Sequence, residues 1–276
     1  MAQFEALTTI SGDRGLADGE VKDLCLCLTR QFPYETLSDK ERKALLFMRE
    51  EEKLARDVYT FLHAKWNARV FSNIAKAEQR HMDAILCLIK KYGLTDPVGG
   101  NPAGVFQNNN LQALYTALTA DGLQNLPAAL TVGARIEDLD LFDLNQATPD
   151  IDNEDILAVF DELKKGSRNH IRAFVQNLEA QNSSYTPVYI SADLFQNIIH
   201  TPRERGGSVC TATCPNANTP NCQGKGPNGA GNCGGNGPNG NGNGPNGAGN
   251  CGGNGPNGNG NGPNGNGNGN PNGNGN

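Results

Sequence analysis

The sequence lacks the features that define several classes of protein. No run approaches the roughly 18–20 consecutive apolar residues of a membrane-spanning helix. The net charge of −6 comes without a basic stripe, so nucleic acid is not expected as a main partner. The first ten residues have neither the basic start nor the apolar stretch of a secretory signal. These absences predict a cytoplasmic protein, or an extracellular or surface protein if a leader was removed.

Charge is nearly absent from the last part of the chain. Of the 23 basic and 29 acidic residues, only Lys225 follows Arg205, whereas 25 of the 35 glycines do. Residues 226–243 recur letter for letter as residues 244–261, with no apolar position to stack. Such a segment cannot bury enough apolar surface to offset its chain entropy. The sequence therefore predicts a disordered, low-complexity tail over residues 201–276.

The eight cysteines form no recognisable redox or metal motif. There is no C-x-x-C pair, and Cys25-x-Cys27 lacks the spacing of a redox pair. The spacings of the tail cysteines match no zinc or iron–sulfur pattern. Disulfide cross-links between chains and free thiols both remain open for them. These tail cysteines are Cys210, Cys214, Cys222, Cys233 and Cys251.

The rest of the chain is typical of one helical domain. Ser38 and Glu41 form an S-x-x-E capping box, and apolar residues then recur at helical spacing as far as Trp66. Strand signals are nearly absent, and residues 188–190 are expected to lie as a strap across the helices. We therefore predict an all-α fold with four main helices and a short extra helix in the long connection between the second and third. The predicted divisions are an N-terminal extension over 1–36, the helical domain over 37–200 and the tail. The predicted helices cover residues 38–66, 71–92, 111–120, 125–144 and 152–177, with Asp152 as the cap of the last.

Acidic and imidazole side chains interrupt the apolar seams of the four main helices. A carboxylate buried on such a seam is costly unless it is paired or bound to a metal. Oxygen and imidazole donors without thiolates suit iron or manganese. The sequence therefore predicts a metal site in the interior of the domain. The candidate ligands are Glu52, Glu78, His81, Glu137, Asp140 and His170.

Two sequence motifs resemble those of rubrerythrins. Residues 52–59 read E-x-x-A-R-x-x-Y, like the first ligand helix of rubrerythrins, and residues 71–81 read F-x-x-I-A-x-x-E-x-x-H, like the second. Residues 47–59 and 166–170 are similar to an uncharacterised ferritin-like family of bacteria and archaea. The resemblance covers roughly residues 37–200. It implies a ferritin-like four-helix bundle with a two-iron, non-haem carboxylate site, in which manganese is an alternative.

The resemblance implies a role for each candidate ligand. Glu52 matches the carboxylate of the first helix, Glu78 the bridging carboxylate and His81 the imidazole of the second helix. On the third helix Glu137 matches a ligand, and Asp140 falls where rubrerythrins have a second, mobile glutamate. His170 matches the imidazole of the fourth helix.

The sequence departs from the rubrerythrin pattern on the fourth helix. That pattern has a glutamate three or four residues before the imidazole, where this chain has Ser167 and Gly166. One bridging carboxylate is therefore missing unless Asp140 replaces it. A mononuclear or lopsided site stays open as an alternative.

Four further residues lie close to these motifs. Tyr59 is either a hydrogen-bond or radical partner near the metals or a packed aromatic side chain. Arg56 either supports a ligand carboxylate or forms a surface salt bridge. Glu50 and Glu51 are expected on the solvated face of the helix.

The resemblance implies an oxidoreductase that acts on peroxide or dioxygen, or oxidises Fe(II), with an unidentified electron donor. One alternative is a metal-binding or storage protein without turnover. Another is a structural matrix protein that uses its Gly/Asn/Cys-rich tail. A homo-oligomer is compatible with each of these.

Overall fold

Helices are the only regular secondary structure in the described part of the protein. A computed structural model describes residues 18–204, and within that range it contains seven α-helices, one 3-10 turn and no strand. The predicted tail beyond residue 204, with its cysteines, and the first 17 residues lie outside the described residues. No helix in the range 18–204 is long and apolar enough to cross a membrane. The elements are α1 (Asp18–Gln31), α2 (Asp39–Trp66), α3 (Arg69–Lys91), α4 (Asn109–Gly122), α5 (Leu126–Ala147), the 3-10 turn (Thr148–Asp150), α6 (Glu154–Glu179) and α7 (Ala192–His200).

The predicted capping box starts helix α2. The Ser38 hydroxyl accepts a hydrogen bond from the Glu41 amide, and the Ser38 amide donates to the Glu41 carboxylate at 2.8 Å. That carboxylate also accepts from the amides of Asp152 and Asn153, just before α6. Burial opposes ionisation of Glu41, but these backbone donors outweigh it and lower its pKa. One side chain thus joins the starts of α2 and α6.

The start of α6 differs from the prediction. Asn153, rather than Asp152, is the residue that precedes the helix, and its side chain makes no capping bond. The side-chain amide of Asn153 instead donates a hydrogen bond to the Tyr92 hydroxyl at 3.1 Å. Because the α6 start is fixed by the Glu41 carboxylate from outside the helix, a cap supplied by Asp152 is not needed.

The four long helices pack around two hydrophobic clusters. Helix α2 packs on α3 and on α5, and α6 packs on α5 and on α3. One cluster contains Tyr59, Phe71 and Phe174, and the other contains Leu45 and Phe160. Along α2, α3 and α6, the candidate ligands Glu52, Glu78, His81 and His170 lie between residues of the two clusters. Apolar layers therefore close the candidate site on both sides along the helix axes.

The segment after α6 runs as the predicted strap. Buried Asp138 on α5 accepts hydrogen bonds from the amides of Val188, Tyr189 and Ile190 and from the Tyr185 hydroxyl. The short α7 that follows was not predicted.

Candidate metal centre

The helices bring most of the predicted ligands together in the interior. Glu52, Glu78 and Glu137 are each 2% exposed. Asp140 and His170 are also buried, and His81 is half-buried. Helical spacing explains the convergence, because residues three apart lie on one face and these faces meet between the two hydrophobic clusters.

The Glu78 carboxylate lies between two imidazole rings. Its Oε2 is 2.7 Å from His81 Nδ1, and its Oε1 is 2.9 Å from His170 Nδ1. The two rings stack with their centroids 5.6 Å apart. Each ring nitrogen faces a second carboxylate as well, with His81 Nδ1 3.2 Å from Glu52 and His170 Nδ1 3.3 Å from Glu137. The arrangement is nearly symmetric about Glu78.

Two groups of candidate ligand atoms share this glutamate. The first group is Glu52, Glu78 and His81, and the second is Glu78, Glu137 and His170. Within each group the ligand atoms lie within 4.8 Å of one another. A shared carboxylate between two oxygen–nitrogen groups could hold two cations at short separation.

Asp140 lies beside these groups and belongs to neither. It is the sixth predicted ligand, and its Oδ2 accepts a hydrogen bond from the Ser167 hydroxyl. Its Oδ1 is buried and accepts no hydrogen bond from the described residues. Ser167, at the position where the rubrerythrin pattern favours a carboxylate, thus contacts a carboxylate from α5 instead.

The two predicted supporting residues differ in their contacts. Tyr59 is fully buried, and its hydroxyl donates to Glu137 Oε1 at 2.5 Å. Burial and the nearby Glu137 charge raise the Tyr59 pKa well above its usual value. The hydrogen bonds of the Arg56 guanidinium go to Asp57 and Gln79, so of its two predicted roles the described residues show the salt bridge, with Asp57 as the partner.

Burial and the close contacts between carboxylates and imidazoles shift the pKa values of these groups. Burial opposes ionisation of Glu78, but His170 and His81 outweigh it and lower its pKa. Burial likewise opposes charge on His170, yet Glu78 and Glu137 raise its pKa to about 10. Burial and the Glu78 charge raise the pKa of Glu137 to about 7. Burial also raises the Asp140 pKa to about 7, despite the Ser167 hydrogen bond. The site thus holds more carboxyl groups than its two imidazoles can balance, and burial together with this excess keeps part of them neutral.

Sequence reasoning was wrong about Glu50 and Glu51. Both are buried, at 5% and 3% exposed, although neither lies on the predicted seam. The Glu50 carboxylate accepts hydrogen bonds from the amides of Gln107 and Asn108, at the start of α4. Packing of α4 against α2 therefore covers Glu50, while Glu51 lies near Asp140 and Asp143 of α5, which also packs against α2. The connection between α3 and α4 carried no sequence signal for this.

The fold and the site define a class: an all-helical domain with a buried carboxylate–imidazole cluster. Residues 41–202 match the family described as "Uncharacterized protein domain (DUF2202)", and the chain belongs to that family. It is 49% identical over 174 residues to the uncharacterized protein MJ0754 of Methanocaldococcus jannaschii. The aligned region covers 63% of this chain and 94% of that protein. The chain is also similar to the crystal structure of hypothetical protein MJ0754 from Methanococcus jannaschii, with a TM-score of 0.62 and 48% identity. That match covers 63% of this chain and 99% of the other.

Proposed function

We propose that α2, α3, α5 and α6 form a ferritin-like four-helix bundle that holds a two-metal, non-haem site. Iron is the proposed metal, and manganese is the alternative. The observation that carries the proposal is the position of Glu78, whose two oxygens each lie within 3 Å of a different imidazole nitrogen. A carboxylate placed in this way is suited to bridge two ions.

Unpaired buried oxygens support a bound cation. Glu52 Oε1 and Asp140 Oδ1 are buried and accept no hydrogen bond within the described residues. An unpaired carboxylate oxygen in a protein interior is costly, and a coordinated cation removes that cost. The donors are carboxylate oxygens and imidazole nitrogens, which suit iron and manganese.

Each ligand set would be held by the chain in a defined way. Glu52, Glu78 and His81 would hold one ion, and Glu78, Glu137 and His170 the other. Tyr59 orients Glu137 through its hydroxyl, and Ser167 orients Asp140. The apolar clusters on either side limit the access of water along the helix axes. When bound, two such ions would supply the electrons that reduce peroxide or dioxygen.

The proposed activity is therefore that of an oxidoreductase acting on peroxide or dioxygen, or oxidising Fe(II), with an unidentified electron donor. The test is anaerobic loading with Fe(II), followed by addition of H2O2 or O2 and measurement of oxidant loss. We expect rapid loss with the wild type and none above background with E78Q. The control is E162Q, because Glu162 on α6 pairs with Lys165 away from the site. An iron-loaded wild type that consumes neither oxidant would reject the oxidoreductase and leave a non-catalytic metal-binding protein.

A further inference from the structure

Glu51 is a buried acid for which the proposed two-metal site has no use. It directly precedes Glu52 on α2 and is 3% exposed. Neither of its carboxylate oxygens accepts a hydrogen bond from an N–H or hydroxyl group of the described residues. The adjacent Glu50 is equally buried, but backbone amides satisfy its carboxylate. Glu51 therefore needs a proton or a cation as its partner, whereas Glu50 does not.

The surroundings of Glu51 are acidic. Burial has the largest effect on the pKa of Glu51 and raises it well above the usual range. The negative charges of Asp140, Asp143 and Glu52 raise it further. The Glu51 and Asp143 carboxylates lie close enough for a hydrogen bond, which two carboxylates can form only if they share a proton. A shared cation meets the same need.

These acids lead from the surface toward the proposed ligands. Asp143 is half-buried, and Asp140 lies one turn deeper on the same face of α5, followed by Glu137. Burial raises the pKa of Glu52, and the negative charge of Asp140 adds to that rise. The three acids Glu51, Asp140 and Asp143 do not form a compact triad like the two groups around Glu78. A cation held among them would therefore keep part of its water shell.

We propose that the carboxylates of Glu51, Asp140 and Asp143 form a cation-loading site, which binds a hydrated divalent cation and delivers it to Glu52 and Glu78. This inference rests on the proposed two-metal site. The oxygen-only donor set, without imidazole, selects hard divalent ions such as Mn²⁺ or Fe²⁺. A focused negative field at its mouth speeds the arrival of cations.

The test measures how fast metal-free full-length protein takes up Mn²⁺. Rapid mixing followed by the EPR signal of free aqueous Mn²⁺ gives the loading rate and the final number of ions bound. We expect E51Q to load about tenfold more slowly than the wild type, because an amide cannot release a proton and take up a cation in its place, and to reach the same final number. D143N, at the half-buried position, should slow loading in the same direction. E50Q is the matched control, and it should load at the wild-type rate.

The outcomes separate the two proposals. If E51Q and D143N load as fast as the wild type while E78Q binds no Mn²⁺, the loading site is rejected and the two-metal site stands. If the wild type itself binds no Mn²⁺ or Fe²⁺, both fail. A slowed E51Q that also binds fewer ions would reject loading and make Glu51 a ligand. Thermal unfolding checks that E51Q folds, and we expect its metal-free form to be about as stable as the wild type, because the raised pKa of Glu51 favours a neutral carboxyl group and the amide that replaces it is also neutral.

Discussion

The imidazole of His81 lies against the backbone of α6 at Gly166. A Cβ atom at Gly166 would come within 2.5 Å of ring atoms Cε1 and Nε2 of His81. The ring therefore fills the space that a side chain at position 166 would occupy. This contact gives a physical reason for the departure from the rubrerythrin pattern at position 166, because a carboxylate there could not coexist with His81 in its observed position.

G166A should therefore disturb one half of the proposed site. The added methyl group would push His81 away from Glu52 and Glu78, whereas the group around His170 would keep its ligands. We expect the bound metal to fall from two ions to one per chain, measured by elemental analysis after equilibrium loading. G122A is the control. Its Cβ would come within 2.6 Å of the Leu62 side chain where α4 packs on α2, and neither residue is a candidate ligand. Equal metal loss in both variants would contradict a specific role for Gly166.

Removal of the Tyr59 hydroxyl should weaken metal binding as well as folding. Y59F leaves Glu137 Oε1 without its donor, and loss of a buried hydrogen bond to a carboxylate costs about 1–3 kcal/mol. The control is Y185F, which removes a similar bond to Asp138 at 2.7 Å, away from the candidate ligands. Both variants should lose stability in denaturant titrations, but only Y59F should bind Mn²⁺ more weakly. Unchanged Mn²⁺ affinity in Y59F would show that Tyr59 only packs.

The hydrogen bonds of the Glu41 carboxylate, which connect the starts of α2 and α6, predict that the stability depends on pH. The folded pKa of Glu41 is lowered from 4.5, so its contribution is fully present above the unfolded value and is lost as the pH falls through the folded value. We expect E41Q to lose about 1–3 kcal/mol at neutral pH and to approach the wild type in acid. S191A is the control, because it removes a neutral cap of α7 and its effect should not change with pH. A constant gap between E41Q and the wild type at all pH values would contradict the assignment.

A disulfide joins α1 to α3 through Cys25 and Cys87, which are separated by 62 positions. Closing a loop of this size lowers the entropy of the unfolded chain and stabilises the fold by about 4 kcal/mol. We predict that C25S lowers the free energy of unfolding by an amount of that order under oxidising conditions. The half-buried Cys25 is the better choice because Cys87 is buried, and its replacement would also disturb packing. A change below about 0.5 kcal/mol would show that the bond contributes little.

Helical periodicity predicted which side chains lie on the seams of the main helices. It did not predict which side chains are buried by contact with other elements. Glu78 and His81 could be found from their spacing because three residues along a helix place both on one face. Glu51 could not be found, since its burial comes from packing between helices that are distant in sequence. Helix α7 follows an extended strap held by Asp138, and such tertiary anchoring leaves no periodic signal. The Asp152 cap was wrong for a related reason, as the Glu41 carboxylate on another helix fixes that start.

The most direct test is a crystal structure of the protein purified from its source, with anomalous diffraction and elemental analysis on the same sample. The account predicts two iron or manganese peaks on opposite sides of the Glu78 carboxylate, one beside Glu52 and His81 and the other beside Glu137 and His170. A protein that carries no metal after purification and after loading, or metal peaks away from Glu78, would contradict it.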